Sequence, residues 1–124
     1  MIDFKNGTVF KLKKAKGFDH EKDIQPLFIA GEEFISEYTG IRDYVIFTTK
    51  RMIAVNVQGM TGKKKDFTSL PYSKIQAFSV ETAGVLDMDS ELEMYFSGLG
   101  KVKLEFSGAN DIVEIGKLIS ERVL

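Results

Sequence analysis

The sequence predicts a mainly β domain: a curled antiparallel sheet of about seven strands, capped by one C-terminal α-helix and preceded by an N-terminal extension over residues 1–31. Three observations predict it. Residues 41–57, IRDYVIFTTKRMIAVNV, hold two β-branched and aromatic runs, 44–49 and 51–57, on either side of a polar turn. Such residues suit the crowded surface of a pleated sheet, and short runs bounded by polar residues read as a hairpin. Residues 101–106 alternate, with Val102, Leu104 and Phe106 on one face and Lys101, Lys103 and Glu105 on the other, the period of two of a strand. Only at the C-terminus does the period become helical: Ile112, Ile115 and Ile119, with Leu118 and Val123, form one broad stripe, which must cover an apolar surface such as the open side of the sheet.

In chain order, Asn6-Gly7 lies between short alternating runs, which reads either as a two-residue hairpin turn or as an incidental pair in an arm. Lys11, Lys13, Lys14 and Lys16 form a small basic cluster. Residues 19–29 predict a short helix with Asp19 as its N-cap, ended or bent by Pro26. The principal domain, 32–124, opens with a strand at 34–39 and passes through a short connection into the central hairpin. A Gly-flanked loop with Lys63, Lys64 and Lys65 follows, then a brief strand at 67–70 stopped by Pro71, since proline cannot donate to a ladder. Strands are predicted at 75–81, 92–96 and 102–106, with an acidic loop, AGVLDMDSE, between the first two. Asp111 and Glu114 have capping-box spacing at the start of the final helix.

A chain of 124 residues, 44% hydrophobic and 28% charged, is one domain able to bury roughly two-thirds of its unfolded surface. The absence of cysteine excludes a disulfide framework, a thiolate zinc site and a cysteine nucleophile. A net charge of −1 argues against a nucleic-acid partner, which calls for a basic excess. The first residues lack a continuous apolar stretch, and no run approaches the ~20 residues of a spanning helix; the expectation is a cytoplasmic protein.

The segment IRDYVIFTTKRMIAVNVQGMTGKKKDFTSLPYSKIQAFSVETAG, continued by DMDSELEMYFSG, resembles the bacterial pleckstrin-homology-like proteins, formerly a domain of unknown function. The resemblance covers about residues 32–124. It implies a pleckstrin-homology-like barrel of two antiparallel sheets with a C-terminal capping helix, no established activity, and assembly into homo-oligomeric rings; from the residues themselves no cofactor and no metal is expected. Many pleckstrin-homology domains hold phosphoinositides through bases in the loop between their first two strands. Here that loop shrinks to Tyr38-Thr39-Gly40 with Arg42 as its nearby base, so no ligand residues carry over.

The chemical motifs are sparse. His20 is the lone histidine, and no G-x-S-x-G elbow accompanies it, so no catalytic residue is assigned. Asp87, Asp89, Glu91 and Glu93 alternate as one charged row on a strand would. As a calcium loop they fail, because Leu92 stands at the glycine position and Gly98 at the last ligand position. Gly59-Met60-Thr61-Gly62-Lys63 falls short of a phosphate loop, having Val57 and Lys64 where glycine and Ser or Thr belong. The stronger signal is the central hairpin, apolar on both faces, whereas antiparallel sheets usually wet one. A large apolar patch needs a cover, supplied either by the N-terminal segment through Phe4, Val9 and Phe10 or by a second subunit. The expectation is a non-enzymatic scaffold that self-associates through Tyr44, Ile46, Met52 and Ala54. The alternative is a peripheral membrane or anionic-ligand adaptor using Lys63, Lys64 and Lys65. A peptide or protein partner beside the C-terminal helix is a further reading by fold analogy.

Overall fold

The structure, a computed structural model, describes residues 1–4, 11–107 and 111–124. The Asn6-Gly7 turn, Val9 and Phe10 lie outside the described residues, as does the side chain of Asp111. The strands are β1 (Lys11–Lys14), β2 (Phe34–Thr39), β3 (Tyr44–Thr48), β4 (Arg51–Gln58), β5 (Lys64–Pro71), β6 (Ile75–Glu81), β7 (Asp89–Phe96) and β8 (Gly100–Ser107). A one-turn helix α1 (Glu21–Ile24) runs into a 3-10 turn at Gln25–Leu27, and helix α2 (Asp111–Val123) ends the chain. The strand order is β5-β4-β3-β2-β1-β8-β7-β6. Eight strands therefore replace the expected seven. The additional strand, β1, pairs antiparallel with β2 and parallel with β8, joining the two antiparallel sheets into one continuous order.

The predicted strand at 34–39 and the central hairpin fall where the sequence places them. The hairpin turn is held by Thr48, whose hydroxyl accepts from the backbone N–H groups of Lys50 and Arg51, both at 3.0 Å. Two strands begin three residues earlier than predicted, β5 at Lys64 and β7 at Asp89. Charged residues join a strand without penalty where their side chains point to solvent, as those of Lys64 and Glu91 do at an edge or on an outer face. The short helix begins one residue later than the sequence suggests: His20, not Asp19, is its N-cap, with no side-chain capping bond.

The hairpin has two buried faces. Its register pairs Tyr44 with Val55, Val45 with Ala54, Ile46 with Ile53 and Phe47 with Met52. Val45, Phe47, Met52 and Ala54 point into the barrel core with Leu12, Tyr38, Leu92, Leu104, Phe106 and the α2 stripe Ile112, Ile115 and Ile119. Tyr44, Ile46, Ile53 and Val55 form a second core on the outer face, closed by Ile24 and packed by Phe18, Phe28, Phe34 and Val57. Two expectations are corrected here. Tyr44, Ile46, Met52 and Ala54 do not share a face, because the cross-strand register places Met52 and Ala54 opposite Phe47 and Val45. All four are buried, and the cover over the outer face is the chain's own segment 18–28, not a second copy. Phe4 packs into the main core instead.

The cover is aromatic. Phe18 stacks on Phe34 at 4.0 Å and on Phe28 at 5.9 Å, and Ile24 is fully buried beneath it. Burying an aliphatic or aromatic side chain of this size contributes about 1.5–3 kcal/mol. At the other side of the barrel α2 lies against β6, and Gly116 marks the contact, since a Cβ there would sit 3.0 Å from Val80 Cγ1.

Ile24→Ala is expected to lower stability by about 2–5 kcal/mol, measured by urea unfolding. Ile46→Glu, which places a carboxylate in the sealed second core, is expected to leave the chain unfolded rather than dissociated. A well-folded Ile46→Glu variant, by circular dichroism, would contradict the intrachain cover.

Candidate interaction site

Three polar clamps hold the covering segment down. Glu37 projects from β2 onto the outer face and is buried. It accepts the His20 backbone N–H at 3.0 Å, and its other oxygen lies 2.6 Å from His20 Nδ1. The His20 ring stacks on Tyr44 at 3.7 Å. Burial, with the nearby charges of Asp23 and Glu37, pushes the Tyr44 phenol well above its ordinary pKa. The second clamp is Lys65 on β5, paired with Asp23 of α1 at 2.7 Å. The third is the fork of Arg51, which meets both carboxylate oxygens of Glu32 at 2.9 Å and donates to Leu27 O at 2.7 Å. Glu32 also accepts from the Thr48 hydroxyl and the Ile29 N–H. Burial by itself would raise the Glu32 carboxyl, but the hydrogen bonds from Arg51, Thr48 and Ile29 outweigh it and hold the group below the usual carboxylate range. His20, the one candidate for acid–base work, is thus a wedge between Glu37 and Tyr44.

Asp89, Glu91 and Glu93 of the acidic row lie on the outer face of β7, as their alternation predicts, while Asp87 stays in the loop before it. Glu91 pairs with Lys103 at 3.2 Å and Glu93 with Lys101 at 3.7 Å. Hydrogen bonding with Asp89, then burial and the Asp89 charge, raises the Glu105 carboxyl. Among the described residues no group of three His, Cys, Asp or Glu is placed to hold a metal ion. A groove beside α2 is lined by Ile35, Leu118, Glu114 and Arg122, on the side of β2 rather than at a strand edge.

Exposed apolar side chains cluster in two loop regions away from the clamps. The β2–β3 turn and the β4–β5 loop run side by side: Arg42 donates to Gly59 O, and Asp43 accepts the Val57 N–H at 2.9 Å. Gly40 allows a close approach where this turn crosses β1, since a Cβ would stand 3.2 Å from Lys11 O and 3.4 Å from Asp43 O. The arrangement brings Ile41 and Met60, each fully exposed at 104%, to one end of the barrel among Arg42, Lys63 and Lys64. Lys65, grouped with them in the sequence, is instead tied to Asp23. The second place is the loop between β6 and β7, where Val85, Leu86 and Met88 are 94%, 98% and 61% exposed around Asp87. Sequence reasoning missed these five residues; the available signal was apolar residues set inside Gly- and Asp-rich turns.

The curled eight-stranded sheet with its C-terminal helix defines a pleckstrin-homology-like barrel. The bacterial PH domain family matches residues 3–123, and the chain belongs to that family. It is 40% identical over 102 residues to the protein YjqA of Bacillus subtilis (strain 168), covering 81% of this chain and 82% of that protein. It is 30% identical over 102 residues to YozO of the same organism, covering 82% and 88%. It is similar to the crystal structure of a DUF1696 family protein with a pleckstrin-homology domain from Shewanella loihica PV-4, with 35% identity, a TM-score of 0.80, and coverage of 93% of this chain and 99% of that one. A pleckstrin homology domain from Shewanella amazonensis SB2B is also 35% identical, with a TM-score of 0.67 and coverage of 97% and 95%. Among the described residues no helix is long and apolar enough to cross a membrane.

The Glu32 clamp sets an acid dependence. A carboxyl whose folded pKa is depressed contributes stability at pH values above its unfolded pKa, and that contribution is lost as pH falls through the folded value. Glu32→Gln is expected to cost about 3 kcal/mol at pH 7 by stranding Arg51, and to flatten the acid limb of a stability-against-pH curve measured by urea unfolding. A variant whose acid limb keeps its wild-type slope would show that Glu32 is not the group responsible.

Proposed function

We propose that the domain is a non-enzymatic scaffold module that self-associates into a homo-oligomer, a closed ring being the form the family resemblance implies. The observation that carries this reading is the loop Val85-Leu86-Asp87-Met88, which leaves three apolar side chains bare within four residues. Single exposed apolar residues are ordinary, but contiguous ones mark an interaction surface. The hairpin's second face has its own cover, so association proceeds through loop tips and strand edges instead. The lone histidine serves the fold, which supports the non-enzymatic part of the reading.

A second reading, a peripheral adaptor for an anionic membrane surface, is favoured by one observation: Ile41 and Met60 stand fully exposed beside Arg42, Lys63 and Lys64. Apolar tips that enter the headgroup region, ringed by bases contributing about 1 kcal/mol each, are a workable membrane contact.

Light scattering coupled to gel filtration is expected to give a wild-type mass that is a multiple of 13.9 kDa, and a monomer for Leu86→Asp. A monomeric wild type, or a Leu86→Asp variant that stays assembled, ends the first reading. Co-sedimentation with anionic vesicles decides the second: binding that weakens as salt rises supports it, and absence of binding at low salt removes it.

A further inference from the structure

We infer that Glu105 is a proton-operated fastener at the base of the β6–β7 loop. With a proton on its carboxyl it donates to Asp89 and ties the first residue of β7 to β8. Without that proton the two carboxylates repel, and this corner of the sheet loosens. The inference goes beyond the readings of self-association and membrane contact and needs neither.

Cross-strand register gathers the charges. Lys11 of β1 stands beside Glu105 of β8, Glu105 beside Glu91 of β7, and Glu91 beside Glu81 of β6. Three glutamates therefore lie side by side on adjacent strands about 4.8 Å apart, and like charges directly opposite each other destabilise a sheet. Asp89, two residues before Glu91, shares its face and adds a fourth carboxylate. Bases answer only part of this charge. Lys103 pairs with Glu91 at 3.2 Å and also acts on Glu93 and Glu81, and Lys101 pairs with Glu93 at 3.7 Å. Lys11 attracts Glu105 from β1, but the hydrogen bond with Asp89, partial burial and the Asp89 charge outweigh it, with Glu91 adding to them, and the Glu105 carboxyl is raised.

Two carboxylates in hydrogen-bonding contact repel when both are ionised, and one proton turns that repulsion into a short, charge-assisted bond. The position of the pair gives the proton its leverage. Asp89 opens β7, and its ladder partner, Ser107, closes β8. The Asp89 N–H donates to Asp87 Oδ1 at 3.0 Å, and the Gly84 N–H donates to Asp87 O at 2.7 Å, so the loop hangs from the same residue. Element ends open locally at far lower cost than the whole domain unfolds, and a single contact there governs whether the end is closed. Linkage fixes the sign. A carboxyl raised in the folded state stabilises that state while protonated, and the contribution is lost as pH rises through the folded value. Glu32 acts in the opposite direction, its clamp being lost as pH falls.

The test is NMR on the full chain. The Glu105 carboxyl carbon is followed through a pH titration, and amide hydrogen-exchange protection is compared at pH about 5 and about 8. Glu32, held low, stays ionised across that window. Glu105 is expected to titrate above the ordinary glutamate value of about 4.3. Protection of the Ser90, Glu91 and Phe106 amides is expected to fall about threefold from the lower pH to the higher, while Ile46 and Ile53 of the central hairpin keep theirs. Glu105→Gln, whose amide donates to Asp89 at every pH, is expected to hold the higher protection at both values. Asp89→Asn is expected to bring the Glu105 titration down into the ordinary range. A Glu105 midpoint at or below the ordinary value overturns the inference, and so does protection at this corner that is the same at both pH values. A Glu105→Gln variant that loses protection with pH as the wild type does overturns it equally.

Discussion

The fold depends on one constraint: its central hairpin is apolar on both faces, so it must be dry on both sides. The barrel supplies one dry side through Leu12, Phe106 and the α2 stripe. The other requires a separate device, and the chain makes it from residues with little secondary structure of their own. A one-turn helix and a 3-10 turn could not hold their shape alone, because helix nucleation is costly and short helices are marginal in water. They persist here because Phe18, Ile24 and Phe28 gain burial against the hairpin, while three clamps fix their position. The clamps are polar for a physical reason. Burial attracts without direction, whereas the Arg51 fork on Glu32 and the His20–Glu37 contact fix the angle and register of the segment.

Much of this was legible in the sequence and some was not, and the difference follows the source of each signal. The hairpin, the strand at 34–39 and α2 each have a strong local period, so their positions could be read directly. β1 could not. Lys11-Leu12-Lys13-Lys14 shows one apolar residue among lysines, and its strand state comes from two neighbours, β2 and β8, that are remote in sequence. The need for a cover over the hairpin was also legible, because apolar residues on both faces of an antiparallel pair are themselves the signal. The identity of the cover was not, since Phe18 and Phe28 sit outside any periodic pattern. The assignment of Met52 and Ala54 to the face of Tyr44 and Ile46 failed on register: parity within a strand is readable from sequence, but parity between strands depends on the turn that joins them.

The cover also decides where the domain can meet other molecules. With the hairpin sealed, Lys65 is held by Asp23, and the lysine run reduces to Lys63 and Lys64 as free charges. Ile41 and Met60 are left in solvent at tight turns. Ile41 follows Gly40, which is pinned against Lys11 O, and Met60 follows Gly59, whose positive φ of 76° turns the loop. Exposure at these tips is therefore imposed by the backbone that makes the barrel.

That imposition explains why the two exposed sets differ in charge. The tip belongs to the half of the sheet whose outer face is closed by α1, where the carboxylates of Glu32 and Glu37 are buried as anchors for the cover. The acidic loop belongs to the half formed by β6, β7 and β8, where Asp89, Glu91 and Glu93 lie half-buried along the outer face of β7. Two lysines on β8 balance part of that row, and the remainder leaves the loop negative. A chain near neutrality overall, with a net charge of −1, thus sets bases beside one exposed apolar pair and a carboxylate beside the other exposed group. The separation arises because one sheet face needed carboxylates as internal anchors and the other did not.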